Sequence, residues 1–169
     1  MRYKTKSVAL TAILAALSVL FIFLGGVFPS GQLGFAAAAC LFGVAAVIEA
    51  GIVYGVMLYV VSAALALVIV PYKLPAILYA AFFGYYPVVK SAAERMKERP
   101  LEWVIKLAVM NAALTGLLLT VKSVFVPDVI ASLPNAIIYV VFNVVFIIFD
   151  IGVSRLIALY MSRVSKHLK

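Results

Sequence analysis

The chain has 169 residues, of which 67% are hydrophobic and only 12% are charged, whereas about a quarter of the residues in a typical soluble domain are charged. A water-soluble fold of this length cannot bury so large an apolar surplus, so the composition excludes an ordinary soluble domain. The net charge of +8 does not indicate nucleic-acid binding, because the basic residues lie in three blocks near the ends of apolar segments and form no continuous basic face.

The cysteine content and the amino terminus narrow the class further. Cys40 is the single cysteine and lies in an apolar stretch, so neither a disulfide framework nor a thiolate metal cluster is expected. The first apolar segment is about 20 residues long, which exceeds the roughly 7 to 15 residues of a secretory signal core. We therefore expect this segment to be retained as a membrane span.

Six apolar segments approach or exceed the length of about 20 helical residues that a bilayer core requires. The only polar break between the second and third segments is Glu49-Ala50-Gly51, so these two helices must turn back on each other almost at once, with a re-entrant arrangement as the alternative. The sequence predicts an all-α fold, a six-transmembrane-helix bundle forming a single domain over residues 1–169. The predicted spans cover residues 8–27, 33–48, 52–70, 74–89, 101–121 and 133–157, with a charged cytoplasmic loop over residues 90–100.

The distribution of Lys and Arg predicts the orientation of these spans. Alternation of six helices places twelve of the 14 basic residues on one side and leaves only Lys73 and Lys122 on the other. Basic residues concentrate in cytoplasmic loops, so the twelve-residue side is expected to be cytoplasmic. The prediction is a multi-pass cell-membrane protein with both termini in the cytoplasm (N-in/C-in).

The ionisable residues form no recognisable catalytic or ion-coupling site. In the predicted arrangement every acidic residue lies near a membrane face, including Glu49 and Asp150, so we expect the interior of the bundle to be free of charged groups. The only histidine, His167, lies in a basic tail, and the sequence contains no HExxH, phosphate-loop or Gly-x-Ser-x-Gly motif. We therefore expect no enzyme activity, no cofactor or metal, and no ion-driven pump.

Neutral polar residues are the candidates for substrate binding. Three of them are four residues apart and share one face of the sixth helix, and the others belong to the fourth and fifth spans or the turn before the fourth. One interpretation is hydrogen bonding between helices that fixes their packing. The other is an outward-opening pocket for an uncharged or aromatic small molecule. The candidates are Tyr72, Tyr79, Asn111, Asn135, Tyr139 and Asn143.

Two further features are candidate partner-binding surfaces. Ala9, Ala12 and Ala16 form a smooth strip on the first helix, which permits close approach of another helix, either within the bundle or in a separate subunit. Lys90 and Glu94 are four residues apart and can pair on one helix face, as can Glu102 and Lys106. The loop that contains Lys90, Glu94 and Arg95 is interpreted as solvated or, alternatively, as a docking surface for a cytoplasmic partner.

A basic amino terminus followed by Lys6-Ser-Val-Ala-Leu-Thr-Ala-Ile-Leu-Ala-Ala-Leu17, on a six-span chain of this length, resembles the substrate-binding S component of energy-coupling factor (ECF) transporters. The motif that carries the resemblance is Ala12-x-x-x-Ala16. The resemblance implies vitamin uptake by a membrane subunit that associates, through small residues of its first helix, with a transmembrane coupling subunit and two ATPases. The chain also resembles small membrane proteins of Gram-positive bacteria, which implies the bacterial cytoplasmic membrane.

The leading hypothesis from the sequence is a membrane-embedded subunit that binds a micronutrient-like molecule and is energised by separate proteins. One alternative is a non-transporting scaffold of an envelope or signalling complex that docks through residues 90–100. Another is a lipid carrier or flippase whose basic cytoplasmic rim attracts anionic head groups. The expected partners are membrane lipid, a coupling subunit with its ATPases and an uncharged or aromatic small molecule, but not nucleic acid.

Overall fold

The computed structural model describes residues 2–96, 98–125 and 134–167, and every regular element in these ranges is helical. The predicted all-α class is therefore confirmed. The elements are α1 (Arg2–Val27), a 3₁₀ turn (Pro29–Gly31), α2 (Gln32–Ala50), α3 (Ile52–Ile69), α4 (Lys73–Leu78), a π segment (Tyr79–Phe83), α5 (Tyr86–Ala93), α6 (Arg99–Phe125) and α7 (Asn135–His167).

Five helical stretches are long and apolar enough to cross a membrane. They correspond to the first, second, third, fifth and sixth predicted spans. The predicted fourth span is divided among α4, the π segment and α5, none of which reaches that length alone, so the count of six spans stays a prediction. The loop predicted between the fifth and sixth spans begins later than expected, because α6 continues to Phe125. Pro127 and Asp128 of this loop lie outside the described residues. The five stretches are Lys4–Val27, Pro29–Ala50, Ile52–Ile69, Pro100–Leu119 and Asn135–Ser162.

The predicted turn between α2 and α3 is confirmed at Gly51. Its φ of 100° lies in the region that favours glycine. Its N–H donates to the carbonyl groups of Ala46 and Val47, so the end of α2 is capped before α3 begins at Ile52. Such a tight turn packs the two helices directly against each other.

The chain divides into two compact units, Met1–Ala113 and Leu114–Lys169. The first contains α1 to α5 and the beginning of α6. Its core is built largely from small residues, which let helices approach closely. A cluster of partly buried aromatic side chains, among them Phe21 and Tyr59, packs against this core. The buried core residues are Ile22, Ala39, Ala63, Ala66, Val70, Ala76 and Tyr79.

Lys73 terminates α3 from outside the helix. Its ammonium group donates to the carbonyl groups of Leu67, Val68 and Val70 at 2.9, 3.3 and 2.7 Å. The last carbonyls of a helix have no partner within the helix and carry its negative dipole end, so a cation stabilises this position. Lys73, one of the two basic residues predicted on the non-cytoplasmic side, thus has a structural role.

Candidate functional site

A π segment interrupts the helix in the region of the predicted fourth span. The N–H of Gly84 donates to the carbonyl of Tyr79, five residues earlier, at 2.7 Å, whereas an α-helix would pair it with a residue four positions earlier. Pro87 follows in the first turn of α5, where its missing N–H leaves no helical bond unmade. Single π turns within helices occur frequently at functional sites, so this break is the first candidate site.

Tyr59 of α3 closes one side of the break. Its hydroxyl group donates to the Ala80 carbonyl at 2.9 Å, and its ring meets the Tyr85 ring edge-on with centroids 5.8 Å apart. A Cβ atom on Gly84 would lie 2.5 Å from the Cδ2 atom of Tyr59, so only glycine leaves room for this ring. Tyr59 is not among the residues predicted from the sequence, although a tyrosine and a serine three residues apart within an otherwise apolar span are a usable signal.

Tyr79 lies at the start of the π segment and is fully buried. Its hydroxyl oxygen is 2.8 Å from that of Ser62 on α3. Ser18 of α1 is also buried and donates to the Ala39 carbonyl at 3.2 Å, so buried hydroxyl groups of three elements satisfy one another or the backbone. The described side chains next to the break are therefore aromatic and rich in hydroxyl groups.

A cluster of four charged side chains, which we call the ion cluster, joins α5 to α6. It consists of Lys90, Glu94, Glu102 and Lys106. The Oε1 atom of Glu94 lies 2.6 Å from Lys90 Nζ and 3.4 Å from Lys106 Nζ, and Lys106 Nζ lies 2.5 Å from Glu102 Oε1. Lys106 Nζ also lies 5.6 Å from the centroid of the Trp103 ring. Both pairings predicted from four-residue spacing are therefore present.

The burial of Lys90 and Lys106 corrects the predicted solvated loop. The side chains of Lys90 and Lys106, both in the first unit, are only 2% and 1% exposed. The prediction places Lys90 in a solvated loop, whereas its side chain is buried. Spacing along the chain identifies ion pairs but not their burial, which depends on how α5 packs against α6. Charged residues within membrane helices are functional candidates, so the ion cluster is the second candidate site.

The other predicted substrate residues are distributed over both units. In the first unit, Tyr72 is 48% exposed whereas Tyr79 is buried, so these two tyrosines lie in different environments. Asn111 donates to the Leu107 carbonyl of its own helix at 2.8 Å. A hydrogen bond within one helix does not distinguish packing between helices from a ligand pocket.

In the second unit, the predicted stripe lies along α7. Tyr139 shares a 2.7 Å hydrogen bond with Thr115 of α6, which is a contact between two helices. Asn143 donates to the Tyr139 carbonyl at 2.8 Å, within α7, and Asn135 is exposed at the beginning of that helix. Tyr139 and Asn143 are thus neighbours in the structure.

The alanine strip of α1 is exposed. Ala9, Ala12 and Ala16 point away from the buried face of α1, which carries Ser7, Thr11, Ala15, Ser18 and Ile22. The part of the chain that the structure describes therefore does not use the strip for internal packing. In the turn after α5, Arg95 is exposed and Glu94 is 42% exposed.

Comparison with models of known protein families, with curated proteins and with solved structures finds no match to this chain. The helix break, the ion cluster and the exposed strip of α1 are therefore the basis for a functional proposal.

Proposed function

We propose that this chain is a membrane-embedded subunit that binds an uncharged, aromatic small molecule at the helix break and depends on separate coupling and ATPase subunits for energy. The observation that carries the proposal is a helix break bordered by the rings of Tyr59, Tyr79 and Tyr85 and by hydroxyl groups. In membranes, irregular backbone is tolerated where it is enclosed by protein or lines a cavity. Discontinuous helices of this kind form substrate sites in many transporters.

The proposal includes six spans with both termini in the cytoplasm. Residues 73–93 would extend about 30 Å at 1.5 Å per residue, which is the thickness of the hydrocarbon core. The broken helix can therefore serve as the fourth of the six spans even though no part of it is long enough alone. The positions of twelve of the 14 basic residues support the orientation.

The proposed contact with a coupling subunit is the exposed strip of Ala9, Ala12 and Ala16. Small side chains allow a second helix to approach closely in lipid. The strip is exposed on α1, and the resemblance of this helix to that of ECF S components supports the same use.

The ligand part of the proposal is tested by thermal unfolding of the purified protein in detergent with a panel of vitamins and nucleobases. We expect at least one uncharged aromatic compound to raise the unfolding temperature. Tyr79→Phe should weaken that effect, whereas Tyr72→Phe, a change of the same size at an exposed tyrosine, should not. Absence of stabilisation by every compound of the panel would contradict the ligand proposal.

The partner part is tested separately by co-purification from the native membrane. Ala12→Leu and Ala16→Leu should release a coupling subunit, and Ala64→Leu, at an exposed alanine of α3, is the matched control. Equal recovery of the subunit with all three variants would show that the strip is not the contact.

A second candidate function is a non-transporting scaffold that docks a cytoplasmic protein. The observation in its favour is the exposed turn of Glu94, Arg95 and Met96, which the buried ammonium groups of Lys90 and Lys106 hold in place. Arg95→Gln should then abolish capture of the partner without changing ligand stabilisation. The opposite result, loss of ligand stabilisation with the partner retained, would reject the scaffold.

A further inference from the structure

The Gly84 N–H can donate to either of two carbonyl groups, and this choice distinguishes an α turn from a π turn. In a regular α-helix the Gly84 N–H would donate to the Ala80 carbonyl, four residues earlier. In the structure this N–H donates to the Tyr79 carbonyl at 2.7 Å, and the Ala80 carbonyl accepts a hydrogen bond from the Tyr59 hydroxyl at 2.9 Å. The Tyr59 hydroxyl therefore donates to the carbonyl that a regular helix would pair with the Gly84 N–H.

The choice between these bonds affects the rotational position of α5, which follows the π segment after the Gly84-Tyr85 turn. A π turn accommodates one residue more than the α turn that it replaces. If the segment became α-helical, every residue of α5 would rotate by about 100° and advance by about 1.5 Å, which brings it to the place of its successor. Lys90 and Glu94 would rotate together because they share one face. Lys106 belongs to α6 and would stay, so its 3.4 Å contact with Glu94 depends on the π segment.

We propose that Tyr59 is a positioning residue that sets the register of α5, so that a change at the helix break is transmitted to the ion cluster. The close approach of its ring to Gly84 and its hydrogen bond to the Ala80 carbonyl hold the π form. This inference concerns the coupling of the two candidate sites and does not depend on which ligand binds at the break.

Two neighbouring alanines of α5 report the register. Ala92 is exposed, whereas Ala93 is 1% exposed. A change to the α register would move Ala93 to the exposed place of Glu94 and Ala92 to the buried place of Ala93. Cysteine introduced at each position, in a Cys40→Ser background, can be followed by its rate of alkylation in the folded protein.

The test compares Tyr59→Phe, which keeps the ring and removes the hydroxyl, with Tyr54→Phe in the same helix. A partly buried carbonyl left without a donor is disfavoured, and we expect Tyr59→Phe to raise the ratio of Ala93→Cys to Ala92→Cys reactivity roughly tenfold. The Ala93→Cys rate should rise and the Ala92→Cys rate should fall, and Tyr54→Phe should change neither. Equal increases at both positions would indicate general loosening and would overturn the proposal, as would no change.

Deletion of Ala81 provides a second, independent variant. Removing one residue from Tyr79–Phe83 lets the segment become α-helical while α5 keeps its original faces. Combined with Tyr59→Phe, the deletion should restore low reactivity at Ala93→Cys and high reactivity at Ala92→Cys. Persistence of the reversed order in the double variant would mean that the register is not set by the π segment.

Discussion

The phenol oxygen of Tyr79 lies 2.8 Å from the hydroxyl oxygen of Ser62, and both side chains are fully buried. A serine hydroxyl has one proton, and that of Ser62 is directed to the Leu58 carbonyl at 2.6 Å. In that arrangement Tyr79 donates to the Ser62 oxygen, and the 2.8 Å separation fits either direction. This bond fastens the beginning of the π segment to α3, the helix that also carries Tyr59.

A double-mutant cycle should measure this attachment. For Tyr79→Phe and Ser62→Ala we expect a coupling free energy of about 0.6 kcal/mol, the average for hydrogen bonds between membrane helices. The measurement is the free energy of unfolding of the four proteins in detergent. Tyr72→Phe combined with Ser62→Ala should be additive, because Tyr72 is exposed. Additivity of the Tyr79 and Ser62 changes as well would show that the bond does not stabilise the fold.

The sequence predicts much of the helix order because the relevant signals are local. Five of the six predicted segments coincide with long apolar helices, and the turn at Gly51 follows from a single polar break between two apolar runs. The π segment is not predictable in this way, because mean hydropathy and segment length are the same for an α and a π turn. The π segment is evident only in the structure, where the Tyr59 hydroxyl donates to the Ala80 carbonyl.

The candidate sites were predictable only in part, for the same reason. Spacing of four residues predicts the pairing of Lys90 with Glu94. A pattern within one helix does not predict that Lys106 of another helix approaches Glu94 as well. Tyr79 was selected as a polar residue in an apolar span. Its partner Ser62 is 17 residues earlier, and only the packing of the break against α3 brings the two together.

Neutralising the shared carboxylate of the ion cluster should destabilise the protein. Glu94→Gln leaves the buried ammonium groups of Lys90 and Lys106 with less compensating charge, and we expect a loss of about 1 to 2 kcal/mol. The full effect of an uncompensated buried charge is not expected, because Glu94 is 42% exposed and water screens it. The matched control is Glu98→Gln at an exposed position, which should change the unfolding free energy by less than about 0.5 kcal/mol. Equal unfolding curves for both variants would remove the ion cluster as a stabilising element.

Loss of the ammonium group at Lys73 should loosen the end of α3. Lys73→Met removes the donor from the carbonyls of Leu67, Val68 and Val70, and a cation at a helix carboxyl end contributes about 0.3 to 1 kcal/mol. Amide hydrogen exchange should become faster in the last turn of α3 and remain unchanged in α1. Lys4→Met, which removes an exposed positive charge from α1, should leave exchange in α3 unaltered; if it does not, the effect is one of net charge.

Adding a single methyl group at Gly84 should disturb the helix break selectively. The new Cβ atom would lie 2.5 Å from Cδ2 of Tyr59 and 2.8 Å from Cε1 of Tyr79, so at least one ring must shift. Overpacking of this kind typically costs about 1 to 3 kcal/mol, and we expect Gly84→Ala to lower the free energy of unfolding by that amount. Gly34→Ala is the control, because nothing lies within 4 Å of its added Cβ and alanine favours helix more than glycine does. It should leave stability unchanged or raise it by up to about 1 kcal/mol. If Gly84→Ala were as stable as Gly34→Ala, the rings of Tyr59 and Tyr79 would be free to move, and the break would not be held by the contacts described.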